Sequence, residues 1–214
     1  GSVTVYQHPT ALNRSLEALT NDLLRVDGPQ ISTVRNYNFA ILPYEPENEF
    51  TLRAAIRNLT EELRDKGWST GTIALHGLLL ARLRAQGSEF VDAMIEREKR
   101  LSKAADPWRG LRTLKERIVT LIEGPTGLAQ DVIAEIERIL SEHPDNLEKT
   151  VIFLGRAGAL FPFLRTSALL KHVAGHTHNV PVVLLYPGHV VGETGLSFMG
   201  VLPADRDYRP RIYR

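Results

Sequence analysis

The sequence predicts an α/β fold: a Rossmann-like, mainly parallel sheet flanked by helices, with a helical insertion between the second and third strands. Three observations carry this expectation. Thr150-Val-Ile-Phe-Leu154 and Val180-Pro-Val-Val-Leu-Leu185 are near-continuous apolar runs, as strands buried on both faces must be. A helix fits between them, and strand, helix, strand at that spacing makes a βαβ unit, whose crossover should be right-handed. Stretches with apolar residues at helical spacing fill most of the remaining chain.

Taken in order, the first element is a helix with Leu12, Leu16, Leu19 and Leu23 on one face, ended by Gly28-Pro29. Asn38-Phe-Ala-Ile-Leu42 is a short buried strand stopped by Pro43. Asn48 or a neighbour should cap a second helix carrying Leu52, Ile56, Leu59 and Leu63, with Gly67 closing it. Thr72-Ile-Ala-Leu75 is the second strand, and it runs straight into a helical pattern at Leu78 to Leu83. The next stretch, from Gln86 to His143, is helical throughout and is expected to be an insertion or subdomain beside the sheet. One helix in it carries Phe90, Val91, Met94, Ile95 and Leu101; after Pro107-Trp108 another carries Leu111, Leu114, Ile118 and Leu121. Gly124-Pro125 breaks the chain, and Thr126 is placed to cap a helix with Val132, Ile136, Ile139 and Leu140. The helix inside the βαβ unit should start near Phe161-Pro162, since proline suits a first turn. Leu196 to Val201 and Arg209 to Tyr213 are weaker strands for one edge of the sheet.

Composition narrows the functional classes. Of 214 residues, 43% are hydrophobic and 24% charged, an ordinary globular balance, and the formal net charge is +1. Nothing global argues for wrapping a polyanion, so nucleic acid is expected only as a local patch or indirectly through a complex. There are no cysteines, which removes disulfides, thiolate zinc sites and cysteine nucleophiles and fits a cytoplasmic location. No apolar run approaches the roughly 20 residues that span a bilayer, and the amino terminus lacks a signal-peptide layout. Gly1-Ser2 read as the remnant of a cleaved tag, leaving residues 3–214 as an expected single α/β domain with residues 86–143 as the helical block within it.

The most distinctive segment is Gly155-Arg-Ala-Gly-Ala-Leu-Phe-Pro-Phe-Leu-Arg165. It follows a buried strand and opens a helix, where phosphates bind in nucleotide-binding folds. A dinucleotide fingerprint needs glycine at its third and sixth positions, which here are Ala157 and Leu160. A Walker A loop needs Gly-Lys followed by Ser or Thr, and the chain has none. A tight glycine turn is the plainer reading, and an anion site using Arg156 and exposed amides is the alternative. Glu45, Glu47 and Glu49 lie just past the first strand, on the ligand-binding edge of such sheets; solvated carboxylates at a helix amino terminus explain them best. His172 and His176 stand four apart, as on one helix face of a zinc site, but Gly175 should end the helix before His176 and no glutamate follows His172. Solvated loop histidines, His178 included, are the plainer account. Neither Ser167 nor Ser197 sits in a nucleophile elbow. No catalytic, cofactor or metal site is expected.

The order Tyr44-Glu-Pro-Glu-Asn-Glu49, then Gly155 to Arg165 with Thr166-Ser167, then Tyr186-Pro-Gly188, Leu196-Ser-Phe-Met-Gly200 and Asp207-Tyr-Arg209 resembles the BrxB family of the bacteriophage-exclusion (BREX) defence systems. The likeness spans residues 39 to 213. Arg156 departs from it, standing where a small or aliphatic residue is expected, and Pro210 interrupts the aromatic stretch after the Tyr-Arg pair. The resemblance implies a supporting role in an antiphage system that includes a DNA methyltransferase, a large ATPase and the phosphatase-like PglZ. It supplies no catalytic residues.

The carboxy terminus alternates Arg206, Arg209, Arg211 and Arg214 with Tyr208 and Tyr213. As a strand, Arg209, Arg211 and Tyr213 would share one face and Pro210 and Ile212 the other. The expectations are a solvated edge protected by charge or a protein interface. The chain is thus expected to be a non-catalytic adaptor that docks a larger component, PglZ first. Arg156, Phe161, Arg165, Tyr208 and Arg209 are the interface residues, because arginine and aromatic side chains dominate binding hot spots. A degenerate nucleotide- or phosphate-sensing domain is the second reading, and a local DNA-binding module is the third.

Overall fold

Alternation within the strands decides the architecture. In the computed structural model the described residues are 11–25, 28–29, 31, 38–87, 92, 96, 116–160, 164–191, 195–198 and 211–213. The strands are β1 (Phe39–Tyr44), β2 (Ser69–Ala74), β3 (Thr150–Gly155), β4 (Val182–Val191), β5 (Gly195–Phe198) and β6 (Arg211–Ile212). Five of them form an all-parallel sheet in the spatial order β2-β3-β4-β1-β6. Val151 and Phe153 of β3, Val183 and Leu185 of β4, and Ala40 and Leu42 of β1 enter one core. Their neighbours Ile152, Leu154, Val182, Leu184, Phe39 and Ile41 enter the other. The central strands are therefore apolar on both faces, as the unbroken runs anticipated.

Helices cover both faces. On one lie α1 (Ala11–Leu23), through Leu16, Leu19 and Leu23, and α2 (Glu49–Asp65), through Leu52, Ile56, Leu59 and Leu63. On the other lie α3 (Leu75–Arg84), the helical stretch 116–122, α4 (Leu128–Glu142) and α5 (Thr166–Val173). Strand order explains the division. The β1–α2–β2 connection travels one way across two intervening strands, whereas β2 to β3 and β3 to β4 step back the other way. With one handedness throughout, connections of opposite direction must lie on opposite faces, and they do. The described parts of the helical block between β2 and β3 pack directly on the sheet. Gly71 of β2 makes room for this, since a Cβ there would come within 2.7 Å of Ile139 Cγ2 of α4.

Arg82 of α3 ties the block in place. Its Nε donates to Asp131 Oδ2 at 2.7 Å and its Nη2 to Asp131 Oδ1 at 3.2 Å, while the remaining fork reaches the carbonyls of Leu121, Thr126 and Gly127 at 3.1, 3.1 and 2.9 Å. One guanidinium thus joins α3, the end of stretch 116–122, the following turn and α4.

Several expected boundaries move, each for a local reason. β1 continues through Pro43 to Tyr44 rather than stopping at Leu42. Asn38 O accepts from Val182 of β4 and Ile41 O from Tyr213 beside β6, so the backbone groups of Pro43 face the β6 side by alternation. β6 ends opposite Ile41, and the missing N–H falls beyond the paired stretch. Leu75 belongs to α3, not β2. Gly127, not Thr126, precedes α4, and a Cβ at Gly127 would lie 2.3 Å from Ile122 O, so the tight turn excludes any side chain there. Asn48 stands at the start of α2 without a side-chain cap bond, because the turn Pro46–Asn48 already leads into the helix. Gly67 does close α2: at φ 85° it lets its own N–H reach Arg64 O and that of Trp68 reach Leu63 O.

The helix of the βαβ unit begins at Thr166, after the turn Ala157–Leu160; Phe161-Pro162 lie outside the described residues. β5 is not a parallel edge strand. β4 outruns β1 and β3, and β5 pairs antiparallel with its overhang, Gly188 opposite Phe198. The overhanging backbone groups acquire partners in this way. The expected helix from Phe90 to Leu101 (apart from helical positions 92 and 96), the break at Pro107-Trp108, Leu111, Leu114 and Val201 lie outside the described residues. Among the described residues no helix is long and apolar enough to cross a membrane.

Candidate functional site

At the carboxyl edge of the sheet the chain leaves β1 toward one face and leaves β2 and β3 toward the other. Open α/β sheets bind ligands in the crevice that such a divergence creates. Here it has a cavity of about 330 Å³, lined by Tyr44 and Pro187 from the ends of β1 and β4, Glu49 and Arg53 from the first turns of α2, His76 from the start of α3, and Arg156 just past β3.

Glu49 is the hub. The Tyr44 hydroxyl donates to its Oε2. Its Oε1 lies 3.3 Å from Arg53 Nε and 3.8 Å from Arg156 Nε. Burial, reinforced by the Glu49 carboxylate, pushes the Tyr44 hydroxyl well above the usual tyrosine range, so it adds no negative charge to the crevice. Two guanidiniums therefore face one carboxylate. Arg53 Nε and His76 Nδ1 are buried without a hydrogen-bond partner, the Arg53–Glu49 contact being an ion pair without hydrogen-bond geometry. Arg156 has φ 58°, a left-handed conformation that disfavours any residue with a Cβ. That backbone lets the chain turn tightly out of β3, as the glycine-turn reading required, although an arginine rather than a glycine takes the turn.

A second, more apolar groove of about 530 Å³ adjoins the crevice, between α2 and the ends of β2 and β3. Leu52, Ile56 and Leu185 line it. Phe50 stands at it with 78% of its surface exposed, and the Arg53 guanidinium lies 4.9 Å from the Phe50 ring centroid.

Of the expected interface residues, Arg156 lies in the crevice and Arg165 is the half-buried residue preceding α5. Phe161, Tyr208 and Arg209 are outside the described residues. Glu47 is exposed in the turn before α2, as expected of a solvated carboxylate, but Glu49 is engaged by three side chains. His172 lies on α5, His176 is exposed in the turn after it, and His178 sits 3.7 Å from Glu137. No group suited to a metal ion occurs among the described residues.

The β6 edge differs from the solvated edge expected. Arg211 and Tyr213 share a face as anticipated, but both bind Asp22 of α1, the Tyr213 hydroxyl donating to Oδ2 at 2.7 Å. Arg211 also lies 4.4 Å from the Tyr213 ring centroid. Tyr213 is buried in the α1–α2 core while Ile212 packs on the other face. Sequence reasoning passed over Arg53, His76 and the Tyr44 hydroxyl. Only Arg53 carried a signal, standing four residues after Glu49 on the same helix.

Fold and site together define a three-layer parallel α/β protein with a helical block packed on one face and a basic crevice at the strand ends. Residues 71–212, well over half of the chain, match the family model described as BREX protein BrxB. The chain belongs to the BrxB family and is a component of a BREX phage-exclusion system. The matched span opens within β2, so Tyr44, Glu49 and Arg53 precede it while His76 and Arg156 fall inside it. No curated protein and no solved structure matched the chain.

Proposed function

We propose that the chain is a non-catalytic adaptor of its BREX system, docking a larger component, with the phosphatase-like PglZ as the first partner to test. The observation that carries this reading is Phe50, a large aromatic left 78% exposed beside an apolar groove and under a guanidinium. Exposed aromatic and arginine side chains at the rim of an apolar depression are the residues that dominate binding hot spots. They lie on the first turns of a helix anchored in the core, so they present a preorganised surface. Arg156 lines the same groove, which joins the interface expected from sequence to this one.

The test is co-purification of the tagged chain with each other component of its system in turn. PglZ should be retained, and Phe50→Ala should weaken its binding by about tenfold or more. Retention by no component would sink the adaptor reading. Retention unaffected by Phe50→Ala would move the interface elsewhere.

A further inference from the structure

We propose that the crevice at the carboxyl edge of the sheet binds a phosphate-bearing anion through Arg53 and Arg156, with His76 as a further donor. The first support is charge. Two guanidiniums share one carboxylate, and the neutral Tyr44 hydroxyl spends its proton on that same carboxylate. The crevice therefore keeps a net positive charge with low-dielectric walls, which favours an anion.

The second support is the direction of the donors. Glu49 meets the Nε edge of each guanidinium, at 3.3 and 3.8 Å. Among the described residues no other hydrogen bond or ion pair engages either one, so the Nη forks remain available. A guanidinium fork matches the oxygens of a phosphate bidentately. Glu49 acts here as a positioning residue that aligns two forks from different elements.

The third support is unsatisfied polarity. A buried polar atom without a partner is uncommon and calls for an explanation. His76 Nδ1 is such an atom lining the cavity, whereas Arg53 Nε, which also makes no hydrogen bond, already faces Glu49. In the tautomer with its proton on Nδ1, His76 can donate to an acceptor in that cavity. The fourth is conformation: Arg156 is held left-handed at the mouth of the crevice, and such strained backbone concentrates at ligand sites. The cavity, about 330 Å³, lies within the range of small-ligand sites.

The experiment is calorimetric titration of the full chain with inorganic phosphate, pyrophosphate and ADP, against sodium chloride at matched ionic strength. At least one phosphate-bearing probe should bind saturably, one per chain. Arg53→Gln and Arg156→Asn should each weaken it at least about tenfold, the effect of one charge-assisted hydrogen bond. Asparagine tolerates the left-handed backbone, and Arg138→Gln on the exposed face of α4 serves as the control that changes nothing.

Amide chemical shifts of the wild-type chain give a reading independent of the variants. The probe should move Arg53, His76 and Gly155 to Gly158 foremost. No saturable binding by any probe, wild-type affinity in both arginine variants, or shifts centred elsewhere would overturn the proposal.

Discussion

Replacing Arg82 by methionine should release the helical block from the sheet at the cost of about 3 kcal/mol. Methionine keeps much of the aliphatic stem, so the change isolates the guanidinium. What is lost is the bidentate contact to Asp131 and three bonds to the carbonyls of Leu121, Thr126 and Gly127. Adding five charge-assisted bonds at about 1.5–3 kcal/mol each would far overshoot, because water takes over wherever it can reach. The two side chains are 22% and 33% exposed, between a surface pair worth about 0–1 kcal/mol and a buried pair whose breaking costs about 3–5 kcal/mol. Their mostly buried position argues for the lower end of the second range.

With a urea slope of about 3 kcal/mol per molar, the unfolding midpoint measured by circular dichroism should fall by about 1 M. Asp131→Asn should cost less, about 1–2 kcal/mol, since the three carbonyl contacts survive. The double variant should show a coupling of about 1 kcal/mol or more. Hydrogen exchange should speed up first over 116–127, where the carbonyls lose their donor, while the β1 and β4 amides keep their protection. A loss below about 0.5 kcal/mol in Arg82→Met, or no coupling with Asp131, would refute the idea that this one side chain holds the joint.

Other perturbations probe the remaining joints. Gly127→Ala should destabilise by about 2 kcal/mol or more in thermal melts, because the clash is with the Ile122 carbonyl at 2.3 Å and no side chain can move to relieve it. Arg156→Gly should leave stability unchanged or raise it by up to about 1 kcal/mol by removing the left-handed strain, whereas Arg156→Val should lower it. Tyr44 and Tyr213 both have hydroxyls raised above the ordinary value of 10.0 by burial and a carboxylate partner. Above pH 10 the unfolded chain gives up these protons and the folded chain keeps them. Stability is therefore complete below pH 10 and falls above it, by about 1.4 kcal/mol per pH unit for each tyrosine. The Tyr44→Phe, Tyr213→Phe double variant should show a correspondingly shallower alkaline slope in urea titrations at pH 9.5 to 11.

What the sequence made legible follows from the range of the interactions involved. Burial on both faces shows in unbroken apolar runs, so β1 and β3 were placed within a residue or two, as was the start of β4, whose overhang from Tyr186 to Val191 the apolar run did not reveal. Helix faces show in the 3.6-residue period, and the closing turn at Gly67 shows in a single glycine. The positions misjudged are those where a distant partner overrides a local signal. Pro43 is tolerated because β6, almost 170 residues away by register, stops short of it. Gly127 replaces Thr126 at the start of α4 because Ile122 O occupies the space a side chain would need. Tyr213 turns inward, and Arg211 is held although exposed, because Asp22 of α1 lies within reach of both.

The crevice illustrates the same limit at the level of function. Glu49, His76 and Arg156 come from three separate connections, and only the strand order β2-β3-β4-β1 brings them together. An apolar run specifies that a strand is buried, not which strand lies beside it. A fingerprint search is blind to such a site for a second reason. Phosphate-loop motifs encode sites in which consecutive backbone amides hold the anion, and glycine spacing is the trace those amides leave in a sequence. A site in which guanidiniums from α2 and from the turn after β3 converge on one carboxylate leaves no such trace. Failing the glycine test at Ala157 and Leu160 therefore excludes one way of holding phosphate at this edge, and it leaves the charge and geometry around Glu49 to be judged on their own.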